Sequence, residues 1–213
     1  MQNIIWSRNK TSKIVIPILL LTTVITLACS PVRPRPDNWA QPVSLAGVPN
    51  LFQVSENLYR SAQPDTLGMN NLKQLGIKTV VNLRSFHSDQ DELGNTGLVR
   101  EHIYMKAWHP EKEDVVRFLK IMADSARAPV LVHCQHGSDR TGTMCAIYRV
   151  AVQGWSKEEA IREMTQGGFG FHKMFSNLPK WIKALDIEQV RKEAGITFIP
   201  PPAAPKTNPP RQK

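Results

Sequence analysis

An α/β fold, with a mainly parallel central sheet flanked by helices, is what the sequence predicts for a single domain over residues 50–199. Three observations predict it. Short runs rich in β-branched residues alternate with stretches of helical periodicity, the pattern of strands joined by helical crossovers. One run, Val130-Leu-Val-His133, carries no charged residue, as a strand covered on both faces requires. Glycine, proline and capping residues fall at the joints between runs.

The elements follow in chain order. Leu51–Val54 and Asn57–Ser61 read as short strands leading to Gln63-Pro64, and Thr66–Leu75 as a helix stopped by Gly76. Ile77–Leu83 is a buried strand, Ser85–Gly97 a polar loop, and Leu98–Met105 a further strand. Pro110 opens a helix that runs to about Ser125, since proline suits the first helical position. Pro129–His133 is the central strand and Thr141–Val152 the helix behind it, ended by Gly154. Ser156 and Glu159 form a capping box for a helix to about Met164, and one last helix fits Leu178–Glu193.

The 213 residues carry a net charge of +9. The positive residues are spread along the chain, with no Lys/Arg block interleaved with aromatics, which argues against a nucleic-acid partner. The charge suits anionic substrates or a membrane surface. Residues 1–29 read as an export segment: Arg8, Lys10 and Lys13 precede an uncharged stretch from Ile14 to Cys29, shorter than the ~20 residues of a spanning helix. Leu27-Ala-Cys-Ser30 resembles a bacterial lipoprotein processing site, with Thr26 where that pattern prefers leucine. A lipidated Cys29, an uncleaved anchor and ordinary signal cleavage all stay open. Each places the domain outside the cytoplasm, and the first two tie it to a membrane. Residues 30–49 are expected to be a proline-rich tether, and 200–213 a proline-rich, basic, disordered tail.

The chemistry lies in His133-Cys-Gln-His-Gly-Ser-Asp-Arg-Thr-Gly142. A cysteine at a strand end, a loop returning to a helix N-terminus and one arginine make an anion site around a sulfur nucleophile. Successive loop N–H groups can converge on one tetrahedral oxyanion, and the helix adds its positive end. That field favours a charged, nucleophilic sulfur on Cys134. Arg140 offers a planar fork that grips two phosphate oxygens. Gly137 supplies a backbone angle closed to other residues. Cys145, in the following helix, reads as a small core residue, with a redox partnership to Cys134 as the alternative.

This segment resembles the His-Cys-x5-Arg-[Ser/Thr] signature loop of the cysteine-dependent protein tyrosine and dual-specificity phosphatases. Leu58-Tyr-Arg-Ser-Ala-Gln-Pro64 and Val80-Val-Asn-Leu-Arg84 resemble strands of the atypical bacterial and fungal–plant members, so the likeness covers about residues 50–190. The resemblance implies that Cys134 attacks phosphorus and Arg140 binds the phosphoryl oxygens. Gln135, His136, Gly137 and Ser138 would cradle the substrate, Thr141 would ease departure of the sulfur, and His133 would hold the loop's shape. It implies no metal and no cofactor. Arg60 and Arg84 are either substrate contacts or structural supports.

The general acid breaks the pattern. Those enzymes carry an aspartate in the loop before the helix that precedes the signature strand, and here that stretch reads Met105-Lys-Ala-Trp-His-Pro-Glu-Lys-Glu-Asp114, with His109 near the expected position. Asp139, beside Arg140, is the favoured candidate; Glu111, Glu113 and Asp114 are the others. Gly167-Gly-Phe-Gly-Phe-His172 either lines the mouth or is a plain turn. The expected activity is hydrolysis of phosphotyrosine or mixed phosphoprotein substrates. A phospholipid or inositol-phosphate phosphatase, or a non-catalytic phosphate-binding envelope protein, are the alternatives.

Overall fold

The computed structural model describes residues 34–198. The expected export segment and the tail 200–213 lie outside the described residues. Six strands form one sheet: β1 (Gln41–Pro42), β2 (Phe52–Ser55), β3 (Leu58–Ser61), β4 (Thr79–Asn82), β5 (Val99–His102) and β6 (Val130–His133). Their spatial order is β1-β2-β3-β6-β4-β5. The pairs β3–β6, β6–β4 and β4–β5 are parallel, and β1 and β2 add an antiparallel margin. The mainly parallel α/β architecture expected from the sequence is therefore the one observed.

β6 lies between β3 and β4, and all four of its residues are buried. Its side chains alternate between two cores: Val130 and Val132 enter the larger one with Val81, while Leu131 joins Val80 on the other face. The smaller core is closed by α1 (Thr66–Gln74) through Met69 and Leu72. The larger is closed by α3 (Lys112–Ala123), α4 (Asp139–Ala151), α5 (Lys157–Gln166), α6 (Asn177–Ala184) and α7 (Ile187–Ala194). Helix α4 is buried along almost its whole length, so it shows no polar face. Gly142 lets α5 come close, since a Cβ there would meet Met164 Cγ at 3.0 Å. Asp65 and Ser156 cap α1 and α5 with their side-chain oxygens.

Four local expectations give way. The loop Ser85–Gly97 contains a short helix, α2 (Gln90–Leu93), because Leu93 and Asp89 are drawn into the interior. Pro110 stands two residues ahead of α3 instead of opening it. The single last helix is two, broken at Leu185-Asp186, where Asp186 accepts from Gln189 N–H at 3.0 Å and starts α7. The fourth is the reach of the tether: from Arg35 the chain packs on the domain, so the packed unit begins before Asn50. Arg35 donates twice to Gly167 O, at 2.8 and 2.6 Å, and stacks over Phe52 and Phe169. Ala40 N–H donates at 2.5 Å to Glu163, which also pairs with the buried Arg149 guanidinium at 2.7 Å. Pro42 is tolerated in β1 because an edge strand need not donate on its outer side.

Candidate active site

The parallel strands all end at the same margin of the sheet, and the functional loop grows from the middle one. β6 stops at His133, Cys134 follows, and α4 begins at Asp139. Cys134 is buried and not in a disulfide. Between them, Gln135 and His136 are exposed while Gly137 and Ser138 are buried.

What shapes the loop is how its carbonyls are held from outside. Gln63 N–H donates to Gln135 O at 3.3 Å, Asn50 Nδ2 to His136 O at 2.9 Å, and Arg60 Nη2 to Gly137 O at 2.5 Å. A peptide whose C=O faces outward turns its N–H the opposite way. The N–H groups of His136, Gly137 and Ser138 therefore face inward, and none of them has a partner among the described residues. This is a concave set of donors at a helix N-terminus, which suits a tetrahedral anion. Gly137 is obligatory: its φ is +70°, and a Cβ would lie 2.5 Å from the backbone of Ser61 and Ala62. Ser138 turns its hydroxyl away, donating to Phe169 O at 2.7 Å, so it reaches an anion only through its N–H.

Arg140 is anchored by Nη1, which donates to Leu83 O at 3.2 Å and Met105 O at 3.5 Å, leaving the rest of the fork for a ligand. Thr141 Oγ1 is buried with no partner among the described residues. A buried hydroxyl in that state costs about 1–3 kcal/mol, and its hydrogen stays uncommitted. Burial pushes the Cys145 thiol up to about 11, so it is an inert core residue at neutral pH.

Arg60 is wholly buried, its guanidinium stacked on Phe169 at 3.6 Å, so it supports the loop and does not meet substrate. Arg84 is half-buried and donates to Gln63 Oε1 at 3.1 Å. Beneath the loop, His133 Nε2 lies 2.8 Å from Asp89 Oδ2, with both side chains fully buried. Asp89 Oδ1 accepts from Asn82 Nδ2 at 2.9 Å and Gln63 Nε2 at 3.0 Å. Burial alone would raise the Asp89 carboxyl, but the hydrogen bond and charge of His133 hold it below the usual range. Gln63 thus joins Asp89, Arg84 and the Cys134–Arg140 loop in one network.

Asp139 stands in the first turn of α4 with both oxygens engaged by one residue: His172 N–H donates to Oδ1 at 2.9 Å, and His172 Nδ1 lies 2.8 Å from Oδ2. The other acidic candidates sit at the start of α3. There burial, and then the like charges of Glu111 and Glu113, push the Asp114 carboxyl up to about 6. Those effects outweigh the helix dipole that would favour its ionised form.

Sequence reasoning missed Asp89, Asn82 and Asn50. Asp89 carries the one available signal, an aspartate immediately before a short helical stretch. Two predictions follow from these environments. Asp89→Ala strips three donors of their acceptor and is expected to cost about 3 kcal/mol or more, with loss of turnover; an unchanged urea midpoint would contradict the network. Folded Asp114 holds its proton more tightly than the unfolded chain does, so its ionisation lowers stability. That penalty is absent below about pH 4, grows towards about pH 6 and is constant above. Asp114→Asn should therefore gain stability relative to wild type between about pH 4 and pH 7.5, read as the difference in urea midpoints; no change in that difference would refute the raised carboxyl.

Comparison with known proteins agrees with this geometry. The family model described as "DSP-PTPase phosphatase fused to NAD+ Kinase" matches residues 41–177. The dual specificity protein phosphatase TpbA of Pseudomonas aeruginosa is 34% identical over 168 residues, covering 77% of this chain and 74% of TpbA. A putative tyrosine-protein phosphatase OCA1 of Mycosarcoma maydis is 36% identical over 126 residues, 54% of this chain and 77% of its own. The crystal structure of P. aeruginosa TpbA superposes with a TM-score of 0.68 at 33% identity, covering 76% of this chain and 99% of that one. The catalytic domain of the S. cerevisiae PP-IP phosphatase Siw14 shares the fold, with a TM-score of 0.63 at 23% identity over 71% of this chain and 94% of that one. With the Cys134–Arg140 loop seated at the head of α4, the chain belongs to the cysteine-dependent dual-specificity and tyrosine phosphatase family.

Proposed function

We propose that this chain hydrolyses phosphotyrosine, or mixed phosphoprotein substrates, without a metal ion and through a cysteinyl-phosphate. The single observation that carries the reading is the inward ring of loop N–H groups around Cys134, closed by Arg140. The phosphoryl oxygens of a monoester occupy that ring, which aligns phosphorus with Cys134 Sγ for in-line attack. As charge spreads over the equatorial oxygens, the fixed N–H groups and the Arg140 fork match it without reorganising. Water then attacks phosphorus, the S–P bond breaks, and Thr141 O–H stabilises the departing sulfur.

The tyrosine preference draws on two supports. TpbA, similar to this chain over most of its domain, has also been solved in complex with pTyr. The rim here carries aromatic surface, with Trp108 and Phe175 rings 5.5 Å apart and Trp108 largely exposed. An inositol-phosphate substrate is the second reading, favoured by a 27% identical relative named inositol diphosphatase DSP3 of Arabidopsis thaliana. A panel of phosphotyrosine peptides and inositol phosphates decides between them.

The mechanism predicts that Cys134→Ser abolishes turnover while inorganic phosphate or tungstate still binds, because the N–H ring and Arg140 persist. Arg140→Lys should lose about 10²–10³-fold in kcat/KM, having one charge but no fork. Appreciable phosphatase activity in Cys134→Ser would exclude the covalent route.

We also propose that the domain is exported and held at a membrane through Cys29. The support is the charged, then apolar, N-terminal sequence and the Leu27-Ala-Cys-Ser30 stretch; among the described residues no helix is long and apolar enough to cross a membrane. Mass spectrometry of membrane-extracted protein should find an acylated N-terminal Cys29 peptide. An intact Met1 peptide as the sole mature species would refute lipidation.

A further inference from the structure

We propose that His172 is the residue that gives the leaving group its proton and then takes one from water, with Asp139 as the positioning residue behind it. The inference rests on Cys134 as the nucleophile. The leaving oxygen of a tyrosine ester needs a proton, and the acidic residues near the loop are poorly placed to supply one. Asp139 is buried and both its oxygens are engaged by His172, which ties the carboxylate to that residue. Asp114 lies in the first turn of α3 and makes no hydrogen bond or ion pair with the Cys134–Arg140 loop among the described residues.

His172 is placed differently. Its side chain is 44% exposed, and Nε2 has no hydrogen-bond partner among the described residues. The ring sits at the rim of the catalytic loop, fastened to Asp139 on one side and 5.4 Å from the His136 ring on the other. Phe175, 6.4 Å away, continues the wall towards Trp108. The segment carrying it is pinned to the loop, since Phe169 O accepts from both Ser138 Oγ and Asn50 Nδ2. With Nδ1–H donated to Asp139, the neutral ring keeps its lone pair on Nε2, and the charged ring carries its transferable proton there. A carboxylate behind an imidazole fixes its tautomer and orientation.

The two steps balance. Cys134 Sγ forms a bond to phosphorus as the P–O bond to the leaving group breaks, and the His172 Nε2 proton moves to that oxygen, releasing an alcohol or phenol. In the second step water attacks phosphorus and gives a proton to His172 Nε2. The S–P bond breaks, returning the thiolate, phosphate and the protonated imidazole.

The test compares esters of different leaving group on the full chain: phenyl phosphate, which needs the proton, and a difluorinated umbelliferyl phosphate, which does not. His172→Ala should lower kcat by about 10²–10³-fold on phenyl phosphate and less than about tenfold on the activated ester. Added imidazole should restore part of the phenyl phosphate rate. His172→Asn keeps a donor for Asp139 but cannot transfer a proton, so it should show the same split even where alanine disturbs the fold. Asp139→Asn should show it more weakly, and Asp114→Asn not at all. Equal losses on both esters in the two His172 variants, without imidazole rescue, would overturn the proposal. So would a leaving-group-dependent loss confined to Asp114→Asn. Failure of the underlying reading is separate and shows as residual turnover in Cys134→Ser.

Discussion

Everything at this site depends on three loop carbonyls being held from outside. Gln63, Asn50 and Arg60 bind the carbonyls of Gln135, His136 and Gly137, and the peptide planes then present their N–H groups inward. Without those bonds the loop would be a flexible turn, and its donors would satisfy themselves on water. With them, the anion site is built before substrate arrives, which is the condition for electrostatic stabilisation of a transition state. Gly137 is the cost of this close approach, because no side chain fits between the loop and the end of β3.

The support is layered. Arg60 can reach Gly137 O because it lies on β3, adjacent to β6 in the sheet, and Phe169 stacks on its guanidinium. Phe169 in turn accepts from Ser138 and Asn50, and packs edge-on against Phe52 at 4.7 Å. Arg35 lies over both rings and binds Gly167 O, so the start of the packed unit braces Phe169. Beneath the loop the Asp89–His133 pair does the same for the strand end. Its burial is tolerable because Asp89 has a donor on each oxygen.

Much of the fold was legible because its signals are local. The β-branched run Thr79–Val81, the uncharged run of β6 and the caps Asp65 and Ser156 act within a few residues, and each element lies where its own pattern places it. The failures were also local, but decided elsewhere. Asp186 ends one helix and starts another, a weak cap signal inside a continuous apolar period. The 35–49 stretch is proline-rich and reads as a tether. It packs because Glu163, Gly167 and Phe169, far along the chain, supply partners for Ala40 and Arg35.

The same division holds at the active site. Cys134, Gly137, Arg140 and Thr141 lie within eight consecutive residues, so their chemistry is determined by the sequence alone: a strand end, a turn and a helix start suffice to converge them. Their supports are not contiguous. Asp89 is 44 residues from His133, Arg60 is 77 from Gly137, and Asn50 is 86 from His136. Asp139 was legible as an acidic residue in the loop, but its engagement by His172, 33 positions away, was not. Which carboxylate has a free oxygen, and which imidazole is held at the rim, depends on sheet order and helix packing. Only the tertiary structure decides those, because proton transfer is set by distance and burial, and neither is a property of a residue's place in the chain.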